Sequence, residues 1–343
     1  MIKVAIVGAT GYTGSELVSI LYRHPEVEIS LITSNSRAGE KFSDIHPQFL
    51  GYCDMVLQPA EAVDNHELDV CFLALPHRIS MEFVEKWKDR NFKIIDLSGD
   101  FRLGNAKVYE KWYQKEHVIP EMVPKVPYGL PELYRENLKG AKVIANPGCY
   151  PTTTILGLAP LLQAGIVEEK SIIVDAKSGT TGAGVKASAT THFSNVNDNF
   201  KAYGLKTHRH TVEIEENLTN AGGKEVTVQF TPHLLPVDRG ILATSYATPK
   251  GSMTEKKLQD LYHTFYKDEH FIRVRDTAPE IKYVRGTNMC DVYPTYDERT
   301  NRIIVISVID NLIKGAAGQA VQNMNIALNL KETLGLEVSP VKP

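Results

Sequence analysis

The chain has 343 residues, of which 43% are hydrophobic and 23% charged, and its formal net charge at pH 7 is −3. These values are typical of a globular protein with two domains, each with its own core. The small negative charge and the lack of a basic block argue against a nucleic-acid partner. No apolar run approaches the roughly 20 residues that span a bilayer, and a strand follows the first Met directly, so we expect neither a membrane segment nor a signal peptide.

The four cysteines are scattered along the chain, at Cys53, Cys71, Cys149 and Cys290. Because none of them forms a CxxC pair, the pattern argues against a zinc site and against a disulfide framework. It fits a protein of the reducing cytosol. We therefore expect a cytoplasmic protein without a metal ion.

A glycine-rich turn follows the first predicted strand, Ile2–Val7. Its sequence, GATGYTG, precedes a helix predicted over 15–22, with Thr13 and Glu16 spaced as a capping box. Glycines at such a turn let the backbone approach a pyrophosphate, which the helix N-terminus attracts. The spacing GxxGxxG also fits a plain turn, but the strand–turn–helix context favours a dinucleotide. The predicted contacts are Gly8, Thr10, Gly11, Tyr12, Thr13 and Gly14.

The second predicted strand, Val27–Thr33, ends in Ser-Asn-Ser-Arg without an acidic residue. NAD-preferring sites usually place Asp or Glu near this position to hold the ribose 2′-hydroxyl. Ser34, Ser36 and Arg37 could instead receive a 2′-phosphate. An ordinary polar loop is the alternative, and we favour NADP(H) as the cofactor.

Two further apolar stretches, Asp69–Leu75 and Phe92–Leu97, predict buried parallel strands. The first ends in Pro76 and His77, at the carboxyl edge where α/β folds bind ligands. His77 fits either a cofactor contact or a helix-capping role. The second leads to Arg102, whose guanidinium could clamp a phosphate or carboxylate, or pair with a nearby acid.

The stretch NPGCYPT, residues 146–152, joins a short apolar strand to a helical pattern over 152–162 that an internal Gly and Pro make irregular. Pro151 suits a first helical position. Cys149 would then lie at a helix N-terminus, whose N–H groups lower a thiol pKa and can hold an oxyanion. A small buried cysteine is the ordinary alternative. The prolines and glycine around Cys149 favour a nucleophile.

A Gly/Ser/Thr loop over 178–184 follows a strand predicted over 171–177 and offers N–H donors to an anionic substrate, unless it is merely flexible. Further along the chain, His208 and His210 lie just before a helix that is predicted to run to about Asn220, with Thr211 as its cap. One of these histidines is a candidate general acid–base. Metal binding is the rival, but alternate helical residues do not share a face and no third ligand is evident.

The predicted fold class is α/β, with a Rossmann dinucleotide-binding domain over 1–148 and an α+β catalytic and oligomerisation domain over 149–310. The second domain should contain a mixed, largely antiparallel sheet with one face covered. Its predicted elements are strands at 225–235, 241–247, 271–275 and 302–309 and a helix at 254–266. A final helix is predicted after this domain, at 311–330. The Pro-rich run 123–133 predicts a loop.

Eight motifs together resemble the N-acetyl-gamma-glutamyl-phosphate reductases of arginine biosynthesis. They are GATGYTG (8–14), FLALPH (72–77), SGDFRL (98–103), YGLPEL (128–133), PGCYPT (147–152), SGTTGAG (178–184), HRHTVEI (208–214) and DNLIKGAAGQAVQNMN (310–325). The resemblance covers nearly the whole chain, with Val212 where many members have Pro. It implies a semialdehyde-dehydrogenase-like fold, a homodimer or homotetramer, and a final helix that returns to the Rossmann domain.

The resemblance also implies the reaction. The Cys149 thiolate would attack N-acetylglutamyl phosphate and release phosphate, and NADPH would reduce the resulting thioester to the semialdehyde. His208 is the first choice for acid–base work, with His210 close behind. The implied substrate residues are Arg102, Ser178, Gly179 and Glu213, where Arg102 holds either carboxylate or phosphate and Glu213 alternatively orients a histidine. Gly182, Asn311 and Gly315 are the implied further cofactor residues, the last two near the nicotinamide.

Three alternatives stay open at this point. An aspartate-semialdehyde dehydrogenase-like reductase would share the cofactor and the thioester chemistry. A short-chain dehydrogenase would fit the glycine turn and the Tyr-x-x-x-Lys spacing of Tyr246 and Lys250, but a preceding strand and Pro249 argue against the helix that it needs. A non-catalytic NADP-binding protein would have no reason to hold Cys149 together with a histidine pair.

Overall fold

A five-stranded parallel sheet lies at the centre of the first of two units into which the described chain divides. The computed structural model describes residues 1–341, and the first unit contains residues 1–148 and 316–337. Its strands are β1 (Ile2–Val7), β2 (Val27–Thr33), β3 (Val70–Leu73), β4 (Lys93–Asp96) and β5 (Val143–Ala145). The strand order β2-β1-β3-β4-β5 reverses beside β1, where open α/β sheets bind ligands at the carboxyl ends of their strands.

Five helices connect these strands in the described chain: α1 (Tyr12–Tyr22), α2 (Phe42–Ile45), α3 (Ser80–Trp87), α4 (Ala106–Tyr113) and α5 (Pro131–Leu138). Helix α1 begins three residues earlier than predicted, with Gly11 as its N-cap. Thr13 and Glu16 therefore lie inside the helix, and the predicted capping box is wrong. The predicted loop at 123–133 is also partly wrong, because α5 begins at Pro131, a residue well suited to a first turn.

A seven-stranded mixed sheet forms the second unit, residues 149–315 with the segment from Val338. Its strands are β6 (Ile172–Ser178), β7 (Lys201–Ala202), β8 (Val228–Leu234), β9 (Ile241–Ala247), β10 (Ile272–Val274), β11 (Cys290–Asp297) and β12 (Arg302–Ile309). In the order β10-β11-β12-β9-β6-β8-β7, four of the six neighbouring pairs in the described chain are antiparallel. The prediction of a mixed, largely antiparallel sheet is confirmed, although the strands β7 and β11 were missed.

Helices α6 (Cys149–Gln163), α8 (His210–Gly222) and α9 (Glu255–Phe265) pack on this sheet. A short helix, α7 (Phe193–Val196), precedes α8 in the chain. Helix α6 is the longest of the four. It continues through Pro160, which has no N–H for the carbonyl of Leu156. The hydroxyl of Tyr266 donates to that carbonyl at 2.5 Å instead. A side chain 110 residues away in sequence thus satisfies the acceptor that the proline leaves, and the predicted irregular helix is regular.

Alternation along β6, β8 and β9 buries one face of the second sheet and leaves the other half-exposed. On β9, Tyr246 lies on the half-exposed face of a strand. The Tyr-x-x-x-Lys spacing therefore does not lie on a helix, and the short-chain dehydrogenase alternative loses its catalytic motif. The predicted cap of α8 by Thr211 is wrong as well, because α8 begins at His210 after Arg209.

The C-terminal region contains two helical segments rather than the single helix predicted over 311–330. A π-helical turn, Ile313–Ala317, is followed by α10 (Gly318–Ala327). Residues 311–315 belong to the second unit, whereas residues 316–337 belong to the first. In the part of the chain that the structure describes, no helix has the length and hydropathy needed to cross a membrane.

Candidate active site

Cys149 is the first residue of α6, a helix of 15 residues. Within the run 143–162, Cys149 alone is partly exposed while every other residue is buried. The N-terminus of a helix carries a partial positive charge and N–H groups without intrahelical partners, which stabilise a thiolate and an oxyanion. Pro151 lies at the third helical position rather than the first. The other cysteines are buried, and burial raises the pKa of Cys53 and of Cys71.

Gly315 lies against Cys149 within the second unit. A Cβ on Gly315 would be 2.8 Å from the Cβ of Cys149 and 3.2 Å from its Cα. The Gly315 N–H donates to the carbonyl of Asp310 at 3.0 Å, an i to i−5 bond that belongs to the π turn. Single π turns are frequent at functional sites. Only glycine allows this turn to approach the cysteine so closely.

The ring of Tyr150 is the centre of an aromatic cluster, formed by Tyr150, Tyr203, His208, His210 and Phe230. Both histidine rings and the ring of Phe230 meet it edge-on, at centroid distances of 5.4 to 5.9 Å. The Tyr203 hydroxyl donates to the Tyr150 hydroxyl at 3.2 Å, and Tyr150 donates to the carbonyl of His233 at 3.1 Å. The cluster therefore holds both predicted histidines beside the residue that follows Cys149.

His208 is an uncharged member of this cluster at neutral pH. Burial, followed by the positive charge of Arg209, lowers the pKa of His208 to about 4. Its Nδ1 accepts a hydrogen bond from the main-chain N–H of His210 at 3.2 Å. Because an amide N–H can only donate, Nδ1 is unprotonated and the proton lies on Nε2. His208 therefore presents an N–H donor rather than a positive charge.

The loop after β6 is fastened to two neighbouring segments of the second unit. The side-chain amide of Asn311 accepts from the Gly240 N–H at 2.8 Å and donates to the Thr181 hydroxyl at 3.0 Å. At Gly179, a Cβ would be only 2.6 Å from a main-chain oxygen of the adjoining loop. The nearest side chains to the Cβ position of Gly182 are those of Ser178, at 3.2 Å, and Asn311, at 3.9 Å. The loop is therefore held in place rather than merely flexible.

The remaining predicted substrate residue of the second unit is Glu213, which is 0% exposed in the first turn of α8. The helix N-terminus stabilises a carboxylate at this position. Within residues 1–341, no group of three or more His, Cys, Asp or Glu side chains is arranged to hold a metal ion.

The three glycines of the turn after β1 have different surroundings. Gly8 has φ of +89°, and a Cβ there would be 2.5 Å from the carbonyl oxygen of Ala74. A Cβ on Gly14 would be 2.3 Å from the Gly8 oxygen, so this glycine allows close packing of the helix. At Gly11 the nearest atom is 3.8 Å away. The space beside Gly11, the N-cap of α1, is therefore open, and a Cβ would extend into it. A pyrophosphate fits this position at the helix N-terminus.

The predicted 2′-phosphate residues lie at the end of β2. The hydroxyls of Thr10 and Ser34 are 3.2 Å apart, which joins the glycine turn to this strand end. His46, which sequence reasoning missed, donates from Nε2 to the Thr10 carbonyl at 3.1 Å. Arg37 lies in an exposed turn and pairs with Glu40 at 3.3 Å. Glu40 lies three residues beyond Arg37 and no acidic residue follows β2 directly, so the two hydroxyls and the guanidinium fit a 2′-phosphate better than a free ribose hydroxyl.

His77 follows Pro76 after β3 and accepts a hydrogen bond at Nδ1 from the Gly99 N–H at 2.7 Å. The helix-capping alternative for His77 is wrong, because Asp100 caps α3 instead. Its carboxylate accepts from the N–H groups of Arg78 and Met81 at 2.7 and 3.1 Å. Because an amide N–H can only donate, Nδ1 of His77 is unprotonated and its proton lies on Nε2.

Arg102 is 6% exposed and is fastened to the main chain of the first unit. Its Nε donates to the carbonyl of Asn146 at 2.7 Å, and its Nη2 donates to the carbonyl of Leu97 at 2.7 Å. These carbonyls follow β5 and β4 respectively. Arg102 therefore brings a buried positive charge to the segment that leads to Cys149.

Two residues of the aromatic cluster had no role assigned from the sequence, although one of them, Tyr150, lies in the motif PGCYPT. Tyr150 and Tyr203 are common residue types, and 53 positions separate the two hydroxyls that meet. Burial raises the pKa of Tyr203 to about 12 and raises that of Tyr150 further, so both phenols are protonated donors at neutral pH. Their role follows only from the packing.

Two family models match the chain. Residues 3–141 match the semialdehyde dehydrogenase NAD binding domain, and residues 149–311 match the semialdehyde dehydrogenase dimerisation domain. Among solved structures, aspartate semialdehyde dehydrogenase II of Vibrio cholerae in complex with ASA has a TM-score of 0.73 and 17% identity, covering 96% of this chain and 98% of its own. The Candida albicans enzyme with NADP has a TM-score of 0.70 and 17% identity, covering 95% and 98%. At this identity the two structures show the shared fold.

The curated relatives are much more similar. N-acetyl-gamma-glutamyl-phosphate reductase of Citrifermentans bemidjiense is 50% identical over 347 residues, and that of Halothermothrix orenii is 49% identical over 348 residues. Each alignment covers 100% of both chains. These relatives confirm the resemblance that the eight motifs carry. The chain belongs to the semialdehyde dehydrogenase family and, within it, to the N-acetyl-gamma-glutamyl-phosphate reductases.

Proposed function

We propose that this protein reduces N-acetyl-gamma-glutamyl phosphate to N-acetylglutamate semialdehyde and phosphate with NADPH, as a step of arginine biosynthesis. The observation that carries the proposal is Cys149, the one partly exposed residue of a buried run at a helix N-terminus. The chain also matches a reductase of that name over its full length. The same matches favour the N-acetylglutamyl substrate over the aspartyl alternative.

The Cys149 thiolate attacks the acyl carbon, which forms an S–C bond and then breaks the C–O bond to phosphate as the oxyanion collapses. The N–H groups at the start of α6 hold that oxyanion. When bound on the glycine turn after β1, NADPH would supply the hydride that reduces the thioester carbon. Collapse of the thiohemiacetal breaks the S–C bond, returns the electron pair to sulfur and releases the aldehyde.

We assign different tasks to the two histidines. His208, uncharged at neutral pH, would donate its Nε2 hydrogen to the developing negative charge of the substrate. His210, at the start of α8, would exchange the proton with the thiol and the thiohemiacetal oxygen. Glu213, one turn further along α8, would orient His210 or contact the substrate. This assignment reverses the order in which the sequence ranks the two histidines.

The remaining contacts are proposed from the charges and donors on each unit. In the first unit, Arg102 would bind the substrate carboxylate or phosphate, while its two main-chain bonds keep the guanidinium in place. In the second, Ser178 and Gly179 would bind the substrate from the fastened loop. The proposed NADP(H) residues are Gly8, Thr10, Gly11, Tyr12, Thr13, Gly14, Ser34, Arg37, Pro76, His77, Gly182, Asn311 and Gly315.

We further propose that the enzyme is a cytoplasmic homodimer or homotetramer. All four cysteines are free thiols, which is typical of proteins from a reducing compartment. The half-exposed face of the second sheet, on which Ile173 is 42% exposed, is the proposed contact between copies, in agreement with the dimerisation-domain match. Sedimentation velocity tests this proposal, and a monomer at micromolar concentration would contradict it.

The reverse reaction tests the function, since the acyl phosphate is labile. Purified protein is mixed with N-acetylglutamate semialdehyde, phosphate and NADP, and NADPH absorbance is followed for the wild type and Cys149→Ser. A phosphate-dependent rise that the variant loses supports the proposal. A rise that survives the substitution rejects the thioester, and turnover of aspartate semialdehyde in preference rejects the substrate. Replacing NADP by NAD tests the cofactor in the same assay.

A further inference from the structure

Asn146 precedes Cys149 by three residues and is 1% exposed in the first unit. Its main-chain N–H donates to the carbonyl of Asp96 at 2.8 Å, and its carbonyl accepts from Arg102. Its side chain makes two more hydrogen bonds. An exposed turn would not need so many hydrogen bonds to the protein. A buried polar side chain whose hydrogen bonds are all made in this way specifies one conformation of its segment.

The side-chain amide of Asn146 is paired with that of Asn323 on α10. Asn323 donates from Nδ2 to Asn146 Oδ1 at 2.9 Å and to the carbonyl of Gly129 at 2.9 Å. Asn146 donates from Nδ2 to the carbonyl of Ala316 at 3.1 Å. Main-chain carbonyls lie at both ends of this relay and can only accept, so the orientation of both amides is determined.

The relay joins two chain segments of the first unit, one just before Cys149 in sequence and one just after Gly315. Cys149 follows Asn146 in the chain after Pro and Gly, and Gly315 directly precedes Ala316. Within the second unit, the Cβ position of Gly315 is 2.8 Å from the Cβ of Cys149. A shift of either segment would therefore change the contact between the π turn and the cysteine.

We propose that Asn146 and Asn323 are positioning residues of the reduction, which hold the segment that presents Cys149 in register with the segment that carries Gly315. The inference rests on the proposed function for its catalytic consequence. Neither amide needs to touch the substrate, since each acts through the main chain. An error of about 1 Å at a reacting atom can cost on the order of 100-fold in rate.

The test replaces each amide by the isosteric acid, which removes the donor and puts oxygen against oxygen. For Asn323→Asp and Asn146→Asp, we expect kcat in the reverse reaction to fall at least about tenfold, while KM values change less than about twofold. The double variant should be no slower than the slower single variant, because one relay is broken in each. A second readout is the rate of Cys149 alkylation by iodoacetamide as a function of pH, followed by peptide mass spectrometry. In each single variant this alkylation should slow by a similar factor.

Asn325→Asp is the matched control on the same helix. Asn325 is also fully buried, and it donates to the carbonyls of Glu332 and Leu334 at 3.1 and 2.9 Å. Its replacement should lower thermal stability without changing kcat or the alkylation rate. If Asn323→Asp does not fold, Asn323→Ala removes the same donors without a charge.

Wild-type kcat and wild-type alkylation in a folded Asn323 variant would overturn the inference, and so would equal losses in the Asn325 control. Lack of any wild-type turnover would reject the proposed function instead. In that case the alkylation comparison still decides whether the relay positions Cys149.

Discussion

Replacing Gly315 by Ala would place a methyl carbon 2.8 Å from the Cβ of Cys149 and 3.1 Å from the Cδ1 of Ile309. Carbon atoms in contact prefer about 3.5–4.0 Å, so the π turn and the start of α6 must separate by about 1 Å. Overpacking of this kind costs about 1–3 kcal/mol of stability. Because the displaced group is the nucleophile, we expect kcat to fall on the order of 100-fold.

The assay measures kcat in the reverse reaction beside the free energy of unfolding in urea. Gly157→Ala is the control in the same unit, because its methyl carbon would be 2.9 Å from the Ser307 hydroxyl, two turns along α6 from the nucleophile. It should change stability but keep wild-type kcat. If Gly315→Ala lowers stability yet turns over at the wild-type rate, the π turn does not constrain Cys149 and this reasoning is wrong.

Three further predictions concern the cofactor turn, a histidine and a helix. Gly11→Ala should weaken NADP binding, measured by fluorescence titration, with little loss of thermal stability, whereas Gly14→Ala should destabilise the fold, since its methyl carbon meets main chain at 2.3 Å. The pKa of His208 is lowered to about 4 in the folded state, so below about pH 6.5 the unfolded chain binds more protons than the folded one. The stability that the neutral His208 contributes is therefore lost as pH falls, by about 2 kcal/mol between pH 7 and 5. His208→Asn should flatten this pH dependence of the unfolding free energy, measured by urea titration. Tyr266→Phe should cost about 1–3 kcal/mol of unfolding free energy without changing kcat, because the carbonyl that Pro160 leaves loses its donor; unchanged stability would contradict that account.

Local patterns predicted the elements that a few neighbouring residues determine. Continuous apolar runs located β1 and β2, and the turn chemistry placed Cys149 at a helix N-terminus. The helix itself was predicted from about residue 151, because Pro151 suits a first position and the apolar spacing starts at residue 152, whereas the helix begins at Cys149. An internal proline looked like a break because Tyr266, its remedy, is remote in sequence. Boundaries depend on such tertiary contacts, which spacing alone does not encode.

Residue type identified the two histidines as candidates but could not rank them, since the rank depends on burial. A histidine near a helix start is usually exposed, yet the rings of Tyr150 and Phe230 pack edge-on against His208. Burial and the charge of Arg209 lower its pKa and keep it uncharged at neutral pH. The amide relay is a harder case, because buried asparagines have no spacing that distinguishes them from those of turns. For both, the decisive quantity is how many donors and acceptors the surrounding fold satisfies. Sequence supplies the chemical groups of this site, and only the packing determines which of them carry charge and which of them hold the others in place.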